Sequence, residues 1–183
     1  MEGILISPIN KGKEFEEFLL SLHIPIVCIG NQVSDAITTV QVNEMTAAME
    51  SVDLIVSKGY ERVVFICPPL AVKEKENIYV HEQRLLGFRA SVAKYPELES
   101  AVIGKTDYLP DVKCVIKEGR EKRTAFLCSG DSYALNVMRW GQQNGMSIPK
   151  DYGLMGFDNI NILEFISPKL TTVSTNLEGV AVT

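Results

Sequence analysis

Short apolar runs alternate along nearly the whole chain with stretches whose apolar residues recur at helical spacing. Residues 3–6 read as a first strand, and Phe15, Phe18, Leu19 and Leu22 form the stripe of a helix after it. Residues 24–29 read as a second strand. Beyond the polar stretch 31–35, residues 39–42 predict a strand, and Ala48, Val52, Ile55 and Val56 predict a helix. Gly59 stops that helix, since glycine suits the left-handed position past a helix end. Further strands are predicted at 63–67, 101–103, 125–128, 153–157 and 171–173. Helices are predicted at 80–94, 112–116 and 133–144, the last closed by Gly145, and 177–183 begins one more. Such alternation is the mark of an α/β fold in which a parallel sheet is covered by helices on both faces.

About six strand-helix units are too many for one small lobe. The polar turns at 31–35 and 158–161 each follow a strand and carry Asn and Asp, so they are the predicted crossings between two doubly wound lobes. Residues 1–30 and 161–183 would then share an N-terminal lobe, and 31–160 would form the C-terminal one. With a strand almost at its start and a helix barely begun at its end, the chain reads as a piece of a longer protein.

Composition narrows the function. At 183 residues and 46% hydrophobic content the chain can bury a real core, which excludes general disorder. No apolar run nears the ~20 residues that cross a bilayer, and Met1 is followed by an acid rather than a basic signal region. A cytosolic protein with no membrane partner is expected. Cys28, Cys67, Cys114 and Cys128 lie far apart, with no C-x-x-C pair, so they read as core hydrophobes in a reducing compartment, and no metal or other cofactor is expected. A net charge of -5 argues against these residues gripping a nucleic-acid backbone by themselves.

Ligands of open parallel sheets bind beyond the carboxyl ends of the strands. Those positions hold Ser7 and Pro8, Gly30 and Asn31, Pro68 and Pro69, Ser129 to Asp131, and Asp158 with Asn159. Two acids are present and no histidine; His23 and His81 read as structural. Arg84, early in the helix after Cys67, could pair with an acid or with ligand oxygens through its planar fork of donors. No enzyme motif completes itself: Gly104-Lys105-Thr106 resembles the tail of a phosphate loop, but Glu99 stands where its first glycine is needed. An enzyme working through Asp131 and Asp158 would lack a nucleophile, and the chain reads as a binding protein.

Eight segments sharpen this reading. They are Gly3-Ile4-Leu5-Ile6, Ile24-Pro25-Ile26-Val27, Lys58-Gly59-Tyr60-Glu61-Arg62 with Val63 to Ile66, Arg84-Leu85-Leu86-Gly87-Phe88, Thr124 to Cys128 with Asp131 and Ala134-Leu135, Ile148-Pro149-Lys150-Asp151, Gly156-Phe157-Asp158-Asn159, and Pro168 to Val173. In this order the chain resembles the effector-binding core of bacterial transcriptional regulators of the lac/gal repressor family, whose fold is similar to periplasmic sugar-binding proteins. The resemblance covers essentially all 183 residues and implies a periplasmic-binding-protein-like fold with an incomplete N-terminal lobe, lacking the DNA-binding headpiece. It implies a small effector in the cleft between the lobes (a sugar, phosphosugar or nucleobase), a homodimer, and operator DNA reached only through the missing headpiece. A transport protein of the same build is the alternative.

Carried over by resemblance, Arg84 and Asp158 reach the ligand, the alternative being that the two simply pair across the cleft; Pro8, from its strand-end position, and Thr175 are placed beside it. Asp131 matches a family acid, but capping the following helix is its better-supported role. Leu135 and Met138 match a dimer contact, with ordinary core packing as the equal alternative. Gly30 and Gly130 stand where sugar-responsive members carry an acid and an amide or hydroxyl, and Thr175 where a longer polar residue is common, so a simple sugar is not assumed.

Overall fold

A computed structural model describes residues 2–8, 12–70, 78–118, 121–175 and 179. The expected helix at 177–183 lies outside the described residues except for Gly179. The elements run in the order β1 (Ile4–Ile6), α1 (Lys13–Ser21), β2 (Ile26–Ile29), β3 (Thr38–Val40), α2 (Glu44–Ser57), β4 (Arg62–Cys67) and α3 (Tyr79–Val92). They continue with β5 (Glu99–Gly104), α4 (Leu109–Glu118), β6 (Thr124–Cys128), α5 (Asp131–Gln143), β7 (Gly153–Asp158), a 3-10 turn (Asn161–Phe165) and β8 (Thr171–Ser174). Two all-parallel sheets result, one ordered β1-β2-β3 and the other β5-β4-β6-β7-β8.

The larger sheet is built by alternation. Val64 and Ile66 of β4, Phe126 and Cys128 of β6 and Leu154 of β7 point to one face, where α4 and α5 cover them with Val112, Ala134, Val137 and Met138. Their neighbours Val63, Phe65, Cys67, Ala125, Leu127, Met155 and Phe157 point to the other face, where α2 and α3 contribute Ala48, Val52, Ile55 and Phe88. Because both faces are covered, the strands read as continuous apolar runs. Burial holds the Cys67 thiol up at about 11 and raises that of Cys28, so these thiols behave as the expected hydrophobes.

The smaller sheet is covered on one face by α1, through a core of Leu19, Cys28, Val33 and Ile37 joined by Ile6, Phe15, Leu22 and Ile26. On the opposite face Leu5 is 70% exposed.

Strand pairing moves both expected lobe boundaries. The polar stretch 31–35 does not leave the first sheet: Val33 is buried inside it, Ile37 just beyond, and both pack in the small core, so β3 pairs with β2 through Cys28 opposite Thr39. The passage to the larger sheet falls instead at 41–43, before α2. Likewise, the chain after Asp158 stays with the larger sheet, because β8 pairs with β7 through Phe157 opposite Val173, and Val173 packs under its core. Residues 161–174 therefore belong with the C-terminal lobe, and 31–40 with the first.

Candidate functional site

Arg84 sits in the second turn of α3 and is only 3% exposed. A buried guanidinium is costly unless paired and hydrogen-bonded, and here three acceptors meet it. Nε donates to Glu44 Oε2 at 2.7 Å, Nη1 to the Ser129 carbonyl at 2.6 Å, and Nη2 to Asp158 Oδ1 at 2.8 Å. The flat of the guanidinium lies over the Phe157 ring, 4.4 Å from its centre. Burial opposes the charge, but the bonds to Glu44 and the nearby Glu44 and Asp158 carboxylates outweigh it and hold the Arg84 pKa above its ordinary value. Of its five N–H donors, one on each of Nη1 and Nη2 has no acceptor among the described residues.

Local sequence explains how α3 comes this close. A Cβ on Gly87 would stand 2.2 Å from the Met45 carbonyl oxygen and 2.9 Å from the Ala48 Cβ, so only glycine lets α3 rest on the first turn of α2. Glu44 begins that turn, its backbone following the cap in which the Asn43 side chain accepts from Thr46 N. An acid at a helix start is favoured by the helix dipole, and this one faces inward at 7% exposed.

Asp158 ends β7 with φ at +102° and Asn159 follows at +54°, a left-handed pair that costs backbone energy for non-glycine residues. Its side chain is 40% exposed, with Oδ1 on Arg84. The Thr175 hydroxyl reaches the Asp158 carbonyl at 3.5 Å. Pro8 contributes its carbonyl, which accepts from the Asn31 side-chain amide, while Asn31 Oδ1 accepts from Val80 N at 3.4 Å. Asn31 thereby links the ends of β1 and β2 to the first turn of α3, which has no side-chain cap of its own. Of the residues expected at the ligand, Arg84, Asp158 and Thr175 thus lie together, and Pro8 is joined to Asn31 beyond the end of β1. The sequence offered Asn31 and Ser129 only as strand-end positions and missed Glu44.

Two other expectations change. Asp131 is 1% exposed and makes no side-chain bond to its own helix. Its carboxylate instead accepts from Thr172 Oγ1 at 2.6 Å and from Ile160 N at 3.0 Å, tying α5 to the chain on either side of the 3-10 turn. Gly156 makes room for it, since a Cβ there would stand 2.2 Å from Asp131 Oδ1. Burial raises the Asp131 pKa, with Asp158 adding to the effect. With both oxygens engaged, Asp131 is neither a helix cap nor a wall of the cleft. Met138 lies in the core beneath α5 and presents no surface to a partner chain, whereas Leu135 is half-buried. The missing acid at Gly30 has a backbone reason, since Gly30 turns at φ +81°.

Two buried side-chain atoms, His81 Nδ1 and Ser129 Oγ, lack a partner among the described residues, and both belong to residues beside Arg84. Burial, then the Arg84 charge, lowers the His81 pKa to about 4. The unfolded chain therefore binds a proton near pH 6.5 that the folded chain refuses until about pH 4. Stability is lost progressively as pH falls through that window. Urea unfolding at pH 7 and pH 4.5 checks this: His81→Phe should shrink the acid-induced loss by roughly 2 kcal/mol, and an unchanged loss would show that another group causes it.

Residues 52–183 match the family described as "Periplasmic binding protein-like domain". The chain belongs to this family. A curated relative, the probable HTH-type transcriptional regulator EndR of Paenibacillus polymyxa, is 25% identical over 178 residues, covering 95% of the chain and 52% of that protein. Among solved structures, the periplasmic binding protein/LacI transcriptional regulator of Alkaliphilus metalliredigens, complexed with D-xylulofuranose, is 25% identical with a TM-score of 0.75, covering 99% of the chain and 65% of the other. The LacI family transcriptional regulator of Enterococcus faecium with bound ribose is 20% identical with a TM-score of 0.76, covering 98% of the chain and 67% of the other. The periplasmic binding protein-like fold and the regulator family read from the eight segments are thus borne out. The chain spans about half the length of the curated relatives it matches. Among the described residues no helix is long and apolar enough to cross a membrane, and no group of three or more His, Cys, Asp or Glu side chains could hold a metal ion.

Proposed function

We propose that this chain is the ligand-sensing core of a cytosolic, dimeric DNA-binding transcriptional regulator, and that an uncharged polyol of the sugar class binds where Arg84 meets Asp158. The observation that carries the reading is the Arg84 guanidinium, fixed by three acceptors with two N–H groups uncommitted among the described residues. The half-exposed Asp158 carboxylate beside it would accept from a hydroxyl. Paired donors and acceptors at one spot suit vicinal hydroxyls, which both give and take hydrogen bonds. His81 Nδ1 and Ser129 Oγ are further buried polar atoms beside Arg84 without a partner among the described residues.

Charge selects among ligands. One guanidinium faces the carboxylates of Glu44 and Asp158, with Asp131 behind them, so the cluster is net negative. A phosphate ester brought here would meet that field in a partly desolvated site, where like charges repel strongly. The pentose ligands of the two similar structures are uncharged sugars. In the whole protein, ligand binding would favour one angle between lobes and so set the spacing of attached DNA-binding headpieces on an operator, to the extent that the ligand prefers one closure.

Calorimetric titration with D-ribose, D-xylulose and D-ribose 5-phosphate tests the reading. At least one free pentose should bind, its phosphate ester about tenfold or more weakly, and Asp158→Asn should weaken the pentose by a similar factor. Tighter binding of the phosphate ester would refute the charge argument. Binding of neither pentose, or full affinity in Asp158→Asn, would remove the sugar site.

A further inference from the structure

The two acids that share Arg84 are not equivalent. Glu44 is 7% exposed and holds Nε, the donor nearest the stem; Asp158 is 40% exposed and holds Nη2 at the open end. The Ser129 carbonyl supplies a dipole but no charge. A ligand arriving at the open end competes with Asp158, because both seek the outer guanidinium hydrogens and the ligand's hydroxyls seek Asp158 oxygens. If Asp158 were the sole countercharge, each such exchange would leave a buried cation unpaired, at a large desolvation cost. The arrangement avoids this because a second, buried carboxylate stays on the arginine throughout.

We propose that Glu44 is a positioning residue of the ligand site: it neutralises and orients Arg84 from the side away from the ligand, freeing Asp158 to trade its bond for ligand hydroxyls. The inference rests on the sugar reading above for its ligand, but its geometry is independent of it. Glu44 bonds Nε, at the end of the guanidinium opposite the Nη2 that Asp158 holds, and acts through Arg84. Its place gives it a second consequence. The passage from the smaller to the larger sheet runs through 41–43, and Glu44 is the next residue, its N–H bonded to the Val42 carbonyl at 2.9 Å. The ion pair therefore fixes the ligand arginine to the chain segment on which the first lobe is hung. Any movement of Arg84 on ligand binding is felt at that passage, and Asn31, bonded to the first turn of the same helix α3, ties the ends of β1 and β2 to it as well.

The test follows Arg84 directly. In a 1H–15N spectrum, the Arg84 Nε–H, assigned by its disappearance in Arg84→Lys, should be protected from exchange in the unsubstituted protein. It should remain protected in Asp158→Asn and lose protection in Glu44→Ala. Glu44→Gln, which keeps shape and one acceptor oxygen, serves where Glu44→Ala does not fold, and should show faster exchange. Titration with D-ribose and D-xylulose should show affinity about tenfold or more lower in Glu44→Ala, with part of the loss restored in Glu44→Asp, which keeps the charge. Persistence of Nε–H protection in Glu44→Ala, or exchange in Glu44→Gln no faster than in the unsubstituted protein, overturns the proposal, as does lost sugar affinity with that protection intact. If the unsubstituted protein binds neither sugar, the sugar reading falls while the exchange measurement still decides whether Glu44 orients Arg84.

Discussion

Arg84→Met should lower the free energy of unfolding by about 3–5 kcal/mol, more than loss of either of its acids. The asymmetry follows from what each substitution leaves behind. Methionine fills much of the volume of the arginine stem but abandons Glu44, an enclosed carboxylate whose cation is then gone. It also strips the Ser129 carbonyl of its donor. Glu44→Gln leaves Arg84 with Asp158, the Ser129 carbonyl and an amide oxygen that still accepts from Nε, so its cost should be about 1–2 kcal/mol. Asp158→Asn removes the half-exposed partner, whose pairing is largely replaceable by water, and should cost about 1 kcal/mol or less. Adding Glu44→Gln to Arg84→Met should recover more than half of the loss, since it removes the orphaned charge. Denaturant titration of the four variants checks the order. If Arg84→Met costs no more than Asp158→Asn, the guanidinium is not the hub of this network.

Much of this architecture was legible because it is local. The runs 63–67 and 125–128 announced buried strands, and the spacing of Ala48, Val52 and Ile55 announced the helix that covers one face of them. Alternate residues of both strands are buried with that helix in one cluster. What depended on distant pairing was not legible. The stretch 31–35 carries the polar residues of a crossing, yet Val33 and the nearby Ile37, both 7% exposed, hold the chain in the small core, and no local rule weighs two apolar side chains against four polar neighbours. The same holds for β8, whose two threonines, valine and serine say nothing about which sheet they join until the register with β7 is known. At the site, Arg84 and Asp158 could be found from strand-end position. Glu44 could not, because an acid opening a helix already has a sufficient local explanation in the helix dipole, and its real partner lies 40 residues away. Asp131 misled for the same reason: a first-turn acid reads as a cap, and its actual bonds go to residues 29 and 41 positions on. The one clue was Gly156, whose absent side chain makes room for that carboxylate.

Gly87→Ala should cost about 2–3 kcal/mol net and should also weaken ligand binding, although Gly87 itself bonds to nothing at the cleft. Two effects of opposite sign meet at this position. Alanine is the better helix former by about 1 kcal/mol, so in an exposed helix the substitution would stabilise. Here the added Cβ would lie 2.2 Å from the Met45 carbonyl oxygen and 2.9 Å from the Ala48 Cβ. Neither obstacle is the free end of a flexible side chain: one is backbone in the first turn of α2, the other belongs to a fully buried residue. The two helices must therefore move apart, and overpacking of this kind outweighs the gain in propensity. Separation acts first on the contact one turn away, where Arg84 reaches Glu44 across the same interface at 2.7 Å. A hydrogen bond is lost when its partners part by much less than an ångström, so pushing the helices apart removes the support that orients Arg84. Thermal unfolding should show the stability loss, and a D-ribose titration should show weaker binding in the same variant. Leu86→Ala, one residue earlier and 47% exposed on the outer side of α3, is the control that should leave both nearly unchanged. Normal sugar affinity in a destabilised Gly87→Ala would separate helix packing from the ligand arginine and break the link drawn between them.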